Sequence, residues 1–157
     1  MPIDSKLQRR IMGQFATGVT VVTTRRQDEI FGMTANAVAS LSLEPPLVLV
    51  AVDKRAQMHG QLCEARAFAV NILSEGQEAL SQRFATRGPK ETGDLALTTA
   101  VTGAPILADA LAYVDCKLVE ILPGGDHDIF IGEVVAGDTR EGRPILFFAG
   151  KYGKVAE

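Results

Sequence analysis

The sequence predicts a small, mainly β domain: a β-barrel or sandwich with a few short helices. The chain has 157 residues, enough for one hydrophobic core but few for two. Most of its apolar segments have strand length and are linked as hairpins, whereas few show helical spacing. Its 15 glycines indicate many tight turns between short elements. We therefore expect one domain over residues 1–157.

The first third of the chain opens with a predicted helix followed by strands. Ser5 and Gln8 form a capping-box pattern, and apolar residues then recur at helical spacing until Gly18. The β-branched residues 19–24 predict a strand, and a second strand follows over about residues 30–37. Residues 47–52 form an unbroken apolar run of strand length, which predicts a strand buried on both faces.

The middle third contains two further predicted helices and a loop. Residues 57–65 predict a weak helix, and residues 67–73 predict a strand. Ser74 and Gln77 repeat the capping-box pattern and predict a helix that ends before Gly88. The polar residues 87–104 predict a long surface excursion with at most a short strand around residues 95–101.

The last third predicts a long hairpin. In residues 111–122, apolar residues alternate with Asp115 and Lys117, which predicts one buried face and one wet face. A glycine-rich turn then leads to a hairpin partner over residues 129–135. Residues 144–148 predict a final strand.

Charge and cysteine content exclude several classes of protein. The formal net charge is −3, so no broad basic face is available for nucleic acid. Cys63 and Cys116 lie far apart in apolar surroundings, which is typical of reduced, buried thiols. No apolar run reaches membrane-spanning length, so we expect a soluble cytoplasmic protein that binds no membrane.

Familiar catalytic motifs are missing from the sequence. It contains no dinucleotide-binding glycine motif, no phosphate-binding Gly-Lys-Ser/Thr loop and no nucleophile elbow. His59 and His127 are its only histidines, and no spacing of carboxylates or cysteines around them suggests a metal site. If the protein is an enzyme, we expect a bound cofactor to carry the chemistry.

Three segments are candidates for binding, each with a plainer alternative. Small and hydroxyl- or amide-bearing residues over positions 32–42 leave the backbone open to a ligand, or they form a polar edge strand. Residues 53–55 precede a helix N-terminus and suit a phosphate, or they are a solvated charge cluster. The turn over residues 124–127 places His127 beside Asp126, either for an anionic or nicotinamide ligand or as an ordinary hairpin turn.

Taken in order, several motifs resemble one family over nearly the whole chain. They are FATGVTVVT (15–23), MTANAVASLS (33–42), the two prolines at 45–46, FAVNIL (68–73), GDH (125–127) and IGEV (131–134). Together they resemble the short-chain flavin reductases with an FMN-binding split-barrel fold, the reductase components of two-component flavin monooxygenases. The resemblance implies a homodimer that binds FMN or FAD, accepts hydride from NADH or NADPH, and passes diffusible reduced flavin to a monooxygenase.

The resemblance also implies roles for individual residues. It places the flavin ring and ribityl chain against Met33, Thr34, Ala35, Asn36, Ser40 and Leu41. It places the phosphate end near Asp53, Lys54, Arg55 and Gln57, and it has Arg83 and Phe84 cover the flavin. It sets His127 and Tyr152 on the nicotinamide side, where they position the hydride donor. The alternative is a flavin-binding split-barrel protein without free-flavin reductase activity, such as a sensor module or a relative of the pyridoxamine-phosphate oxidases.

Overall fold

The structure is a computed structural model that describes residues 1–156; Glu157, the last residue of the predicted domain, lies outside the described residues. Within residues 1–156, three helices and twelve strands follow one another. In order they are α1 (Ser5–Met12), β1 (Thr17–Gly18), β2 (Thr20–Arg26), β3 (Glu29–Ala35), β4 (Val38–Leu43), β5 (Pro46–Asp53), α2 (Gln57–Ala65), β6 (Ala67–Ile72), α3 (Glu78–Arg83), β7 (Leu97–Thr98), β8 (Ile106–Leu107), β9 (Ala112–Gly124), β10 (His127–Thr139), β11 (Ile145–Phe148) and β12 (Lys151–Lys154). The mainly β prediction is confirmed.

Seven strands form the main sheet, in the order β3-β2-β6-β9-β10-β5-β4, and every neighbouring pair is antiparallel. The pairs β2–β3, β4–β5 and β9–β10 are hairpins, as predicted for most connections. The two edge strands, β3 and β4, are separated in sequence only by Asn36 and Ala37. Because so short a connection must join opposite edges, the sheet curls into a barrel that is split between β3 and β4. We call residues 32–39 the seam.

The core fills the interior of this curled sheet. Its largest buried side chains include Phe68 and Phe130, and α2 packs onto it through Met58 and Leu62. A second buried cluster, which contains Phe84, lies under α3 and β11. The helix α2 begins and ends at the predicted residues. No helix in the described part of the chain is long and apolar enough to cross a membrane.

Two smaller sheets flank the barrel. One joins β1, β11 and β12, and the other joins β7 and β8. The strands β1, β8 and β12 were not predicted, because strands of two to four residues are too short to show a period, and β4 was anticipated only as the polar edge-strand alternative for residues 32–42. The short strand expected around residues 95–101 is present as β7.

Both capping-box predictions place the helix start wrongly. Asp4 caps α1 by accepting a hydrogen bond from the Lys6 backbone N–H at 2.7 Å, and α1 ends at Met12, well before Gly18. The Gln77 side chain accepts from the Ser74 N–H at 2.8 Å, which is half of a capping box, but α3 begins only at Glu78.

Three burial predictions are also wrong, and the first concerns Cys63, which was expected to be buried but is partly exposed. Asp115 was expected to face water, but it is fully buried because the loop before β8 folds over it. Its carboxylate accepts hydrogen bonds from the Val101 and Thr102 N–H groups and from the Thr102 hydroxyl at 2.5 to 2.9 Å. Strand β5 is buried on one face only, since alternate residues such as Leu49 and Ala51 remain partly exposed.

Candidate functional site

Three neighbouring cavities lie along the seam of the barrel. Cavity A, of about 230 Å³, lies between β3, the start of α2 and the segment after α3. Cavity B, of about 250 Å³, lies between the end of β3, α3 and β12, and it shares Thr34 with cavity A. Cavity C, of about 740 Å³, lies outside β4 and β5 and shares Asn36 with cavity B. The seam therefore lines all three cavities, which we together call the groove.

Cavity A combines an apolar floor with groups suited to an anion. Its lining includes Gln57 and Met58, which open α2 and whose N–H groups have no acceptor within the helix. Arg87 also lines this cavity, and within residues 1–156 no hydrogen bond or ion pair engages its side chain. The Gln57 side chain accepts a hydrogen bond from the Gly88 N–H at 2.7 Å, which ties the segment after α3 across the cavity.

A hydrogen-bonded chain connects cavity B to the seam. The Tyr152 and Ser81 hydroxyls lie 2.7 Å apart, and the Ser81 carbonyl accepts from the Thr34 hydroxyl at 2.5 Å. The Thr34 N–H donates to the Phe84 carbonyl at 3.1 Å. The ring of Tyr152 is edge-on to Phe147, with their centroids 5.5 Å apart. These contacts hold β3, α3 and β12 at fixed positions around the cavity.

Cavity C is mostly apolar, and its lining includes the polar side chains of Arg9, Thr17 and Asn36. Asn36 lies in the turn between β3 and β4, and Thr17 lies on β1 opposite Phe147. The Thr17 hydroxyl oxygen is buried and has no hydrogen-bond partner, alone among the side-chain polar atoms of residues 1–156. A buried polar group without a partner is costly, so this hydroxyl suits a ligand with a polar edge.

The predicted charge cluster after β5 is present, but most of its charge is already paired. The Asp53 carboxylate accepts from the Arg55 N–H at 2.8 Å and from the Arg55 guanidinium at 3.1 and 3.3 Å. These hydrogen bonds lower the pKa of Asp53 to about 2. Lys54 is exposed, and its side chain has no partner among the described residues.

His127 belongs to this cluster and not to the surroundings of Tyr152. It lies opposite Asp53 in the β10–β5 ladder, and its Nδ1 lies 2.7 Å from the Asp126 carboxylate. Tyr152 instead lies on β12, in the flanking sheet of β1, β11 and β12. The structure thus does not bring the two proposed nicotinamide-side residues into one cavity of this chain.

Arg83 and Phe84, which were expected to cover a flavin, lie at the end of α3. The Arg83 guanidinium forms two hydrogen bonds with the Asp94 carboxylate, at 2.8 and 2.9 Å, and this ion pair raises the pKa of Arg83. Phe84 is 1% exposed, and its ring packs so closely on Gly32 that a Cβ there would lie 2.5 Å from it. Phe84 lines cavity A from within the core.

The structure brings part of the predicted set together. The predicted residues that line the groove are Met33, Thr34, Ala35, Asn36, Gln57, Phe84 and Tyr152. Ser40 and Leu41 lie on the exposed strand β4, outside these cavities. The sequence reasoning missed Arg87, Ser81, Phe147 and Thr17; only Thr17 lay in a quoted motif, and Arg87 lay in a segment read as loop.

These features fit a long, flat ligand with an anionic end, as a flavin nucleotide is. The groove offers aromatic and apolar walls beside the seam and the buried hydroxyl of Thr17, which has no partner among the described residues. It also offers the N-terminus of α2 together with the Arg87 side chain, which is unpaired within residues 1–156. Within residues 1–156, no group of three His, Cys, Asp or Glu side chains is arranged to hold a metal ion.

Comparisons with known proteins identify the family. The family model for the flavin reductase like domain matches residues 12–156. The reductase component of 4-nitrophenol 4-monooxygenase/4-nitrocatechol 2-monooxygenase from Rhodococcus opacus is 40% identical over 97% of this chain and 82% of its own. An FMN reductase (NADH) from Agrobacterium fabrum is 39% identical, over 96% of this chain and 86% of its own.

A solved structure agrees with these sequences. The NADH:FAD oxidoreductase SgcE6 of Streptomyces globisporus, in complex with NAD and FAD fragments, superposes with a TM-score of 0.91 at 38% identity, covering 99% of this chain and 97% of that one. The fold is thus the split barrel that the motifs implied. The chain belongs to the family of the flavin reductase like domain.

Proposed function

We propose that the protein is an NADH-dependent flavin reductase that binds FMN or FAD and supplies reduced flavin to a partner monooxygenase. The observation that carries this proposal is the groove along the seam, in a chain whose relatives are named as NADH-dependent flavin reductases and monooxygenase reductase components. We propose NADH as the coenzyme, since relatives such as the FMN reductase (NADH) from Agrobacterium fabrum are named for it.

In this proposal the seam holds the flavin ring and cavity A holds its phosphate. A bound flavin supplies a ring that accepts hydride from the nicotinamide, which needs no protein nucleophile. Thr34, Ala35 and Asn36 lie along the ring and ribityl chain, and their short side chains let the ligand approach the backbone closely. The N-terminus of α2, with Arg87 and Lys54, attracts the phosphate.

The dinucleotide is proposed to approach from the open side of the seam. His127 and Tyr152 are the residues we assign to its positioning, and their separation in one chain means that each contacts a different part of the ligands. Holding the flavin and nicotinamide rings at stacking distance lowers the barrier to hydride transfer, because the entropy cost of bringing the reacting atoms together is met on binding.

We also propose a homodimer, located in the cytoplasm. Supporting the dimer, cavity C is bordered by apolar side chains that are strongly exposed, including Met12 at 57% and Phe15 at 70%, while Leu43 on the neighbouring β4 is 85% exposed. A second copy that covers this face would remove the side chains from water. Supporting the cytoplasm, Cys63 and Cys116 are free thiols.

Reconstitution tests the proposed function. The purified protein is loaded with FMN or FAD and titrated anaerobically with NADH or NADPH, and bleaching of the flavin absorbance is followed. We expect bleaching with NADH, and faster bleaching than with NADPH. Flavin binding without bleaching by either coenzyme would favour the alternative of a flavin-binding protein without reductase activity, and failure to bind either flavin would refute both.

A further inference from the structure

A cluster of three side chains between α2 and β10 has no part in the proposed hydride transfer. Nε2 of His59 lies 2.7 Å from a carboxylate oxygen of Asp128, and Nδ1 of His59 lies 3.9 Å from Sγ of Cys63. His59 and Cys63 share a face of α2 because they are four residues apart. The imidazole is also held edge-on to Phe130, with the ring centroids 5.1 Å apart.

The order of the three groups sets the direction of proton transfer. The Asp128 carboxylate accepts the hydrogen bond of the His59 Nε2–H, so the neutral imidazole keeps its lone pair on Nδ1, facing Cys63. A thiol beside an imidazole that a carboxylate orients is the arrangement that activates cysteine nucleophiles. The His59 and Asp128 side chains remain 23% and 18% exposed, and Cys63 is partly exposed, so the cluster is not closed off from solvent.

We propose that Cys63 is a thiol that reacts with hydrogen peroxide, with His59 as its base and Asp128 as the positioning residue. The thiol proton passes to Nδ1 of His59, and the sulfur attacks one peroxide oxygen. An S–O bond forms, the O–O bond breaks, and the leaving hydroxide takes the proton from His59 and departs as water. The sulfur loses two electrons to the peroxide and becomes a sulfenic acid.

The source of the peroxide rests on the proposed function. A reduced flavin that meets dioxygen before it meets an oxygenase yields oxidised flavin and hydrogen peroxide. A reductase that releases reduced flavin in air therefore generates the oxidant beside its own surface. The reactivity of Cys63 itself does not depend on that source.

Cys116 provides an internal control within the same chain. It lies on β9, fully buried in the barrel core, and burial raises the pKa of its thiol to about 12. A thiol in this state is almost never the thiolate near neutral pH, so it reacts slowly. The two cysteines therefore differ in both access and activation.

The test is peroxide treatment in the presence of dimedone, which traps sulfenic acids, followed by peptide mass spectrometry. We expect the label on Cys63 and not on Cys116. His59→Gln and Asp128→Asn should slow the labelling at least about tenfold, because general-base assistance is typically worth that or more. Glu64→Gln, which removes a carboxylate from the same helix but not from the cluster, should label at the wild-type rate.

Two results would overturn the proposal. One is a Cys63 that stays unlabelled; the other is a Cys63 that labels as fast in both His59→Gln and Asp128→Asn as in the wild type. A variant that unfolds reveals itself by a label on Cys116, and the remaining variant then decides. In a second arm, NADH and FMN in air replace the added peroxide. A label on Cys63 that catalase abolishes would support reduced flavin as the source of the peroxide. If NADH is not oxidised, that result counts against the proposed function, and the first arm still tests the reactivity of Cys63.

Discussion

Replacing Gly32 with alanine tests whether the close packing of Phe84 against β3 shapes the groove. A Cβ at position 32 would lie 2.5 and 2.7 Å from two carbons of the Phe84 ring. The ring cannot swing into solvent, because Phe84 is 1% exposed within the second core cluster. Either the ring or strand β3 must therefore shift.

The size of the effect follows from two opposing contributions. Overpacking of a core typically costs about 1–3 kcal/mol. Loss of glycine's freedom in the unfolded chain returns about 0.4–1 kcal/mol. The net loss of unfolding free energy is then about 1–2 kcal/mol, or roughly 2–8 °C in Tm for a chain of this length. Because the Phe84 carbonyl accepts the Thr34 N–H at 3.1 Å, the shift also reaches the wall of cavities A and B.

The assays are thermal unfolding of the flavin-free protein and titration with FMN. Gly32→Ala should lower Tm and weaken FMN binding about three- to tenfold, the value of one hydrogen bond. Gly60→Ala is the matched control, because Gly60 lies inside α2 and no other part of the chain lies within 4 Å of a new Cβ there. This variant should raise the unfolding free energy by about 0.5–1 kcal/mol. Wild-type Tm and FMN affinity in Gly32→Ala would show that the contact between Gly32 and Phe84 shapes neither the stability of the protein nor the groove.

Three further predictions concern charged and titratable groups. His127→Ala should raise KM for NADH or lower kcat with nearly unchanged flavin affinity; steady-state kinetics and flavin titration check this, and an equal loss of flavin binding would move His127 to the flavin site. Arg55→Gln should return the pKa of Asp53 from about 2 towards 3.8, as carboxyl NMR titration would record. Because folding lowers the pKa of Asp53, the contribution of the Asp53–Arg55 pair to stability is present above pH 3.8 and is lost as the pH falls through about 2. The unfolding free energies of the wild type and Arg55→Gln should therefore become equal in acid. Asp115→Asn should cost about 2–4 kcal/mol in urea unfolding, since it weakens three hydrogen bonds to a buried carboxylate, and a cost below about 1 kcal/mol would contradict that role.

Local patterns in the sequence predicted the elements whose stability is local. The bounds of α2 and the hairpins β2–β3 and β9–β10 agree with the predictions, because apolar spacing and turn residues act over a few positions. Asp115 was misplaced for a different reason. Its alternation in β9 was read correctly, but its burial depends on Thr102 in a loop that the pattern of β9 does not contain.

The same distinction governs the pairing of His59. Its position on α2 follows from the sequence, but its partner Asp128 is 69 residues away and on another element. No spacing rule links positions so far apart. A histidine that looked unremarkable in sequence thus became the centre of a cluster only when β10 was folded against α2.

Charge pairing decides which arginine is available to the phosphate end of a ligand. The sequence placed Arg55 near the phosphate and Arg83 over the flavin, yet Asp53 and Asp94 already accept their hydrogen bonds. An anion would have to displace those carboxylates, and each displaced guanidinium bond would offset part of the gain. Arg87 needs no such exchange, and it lines cavity A together with the first turn of α2. The phosphate is therefore expected to draw more on Arg87 than on either paired arginine.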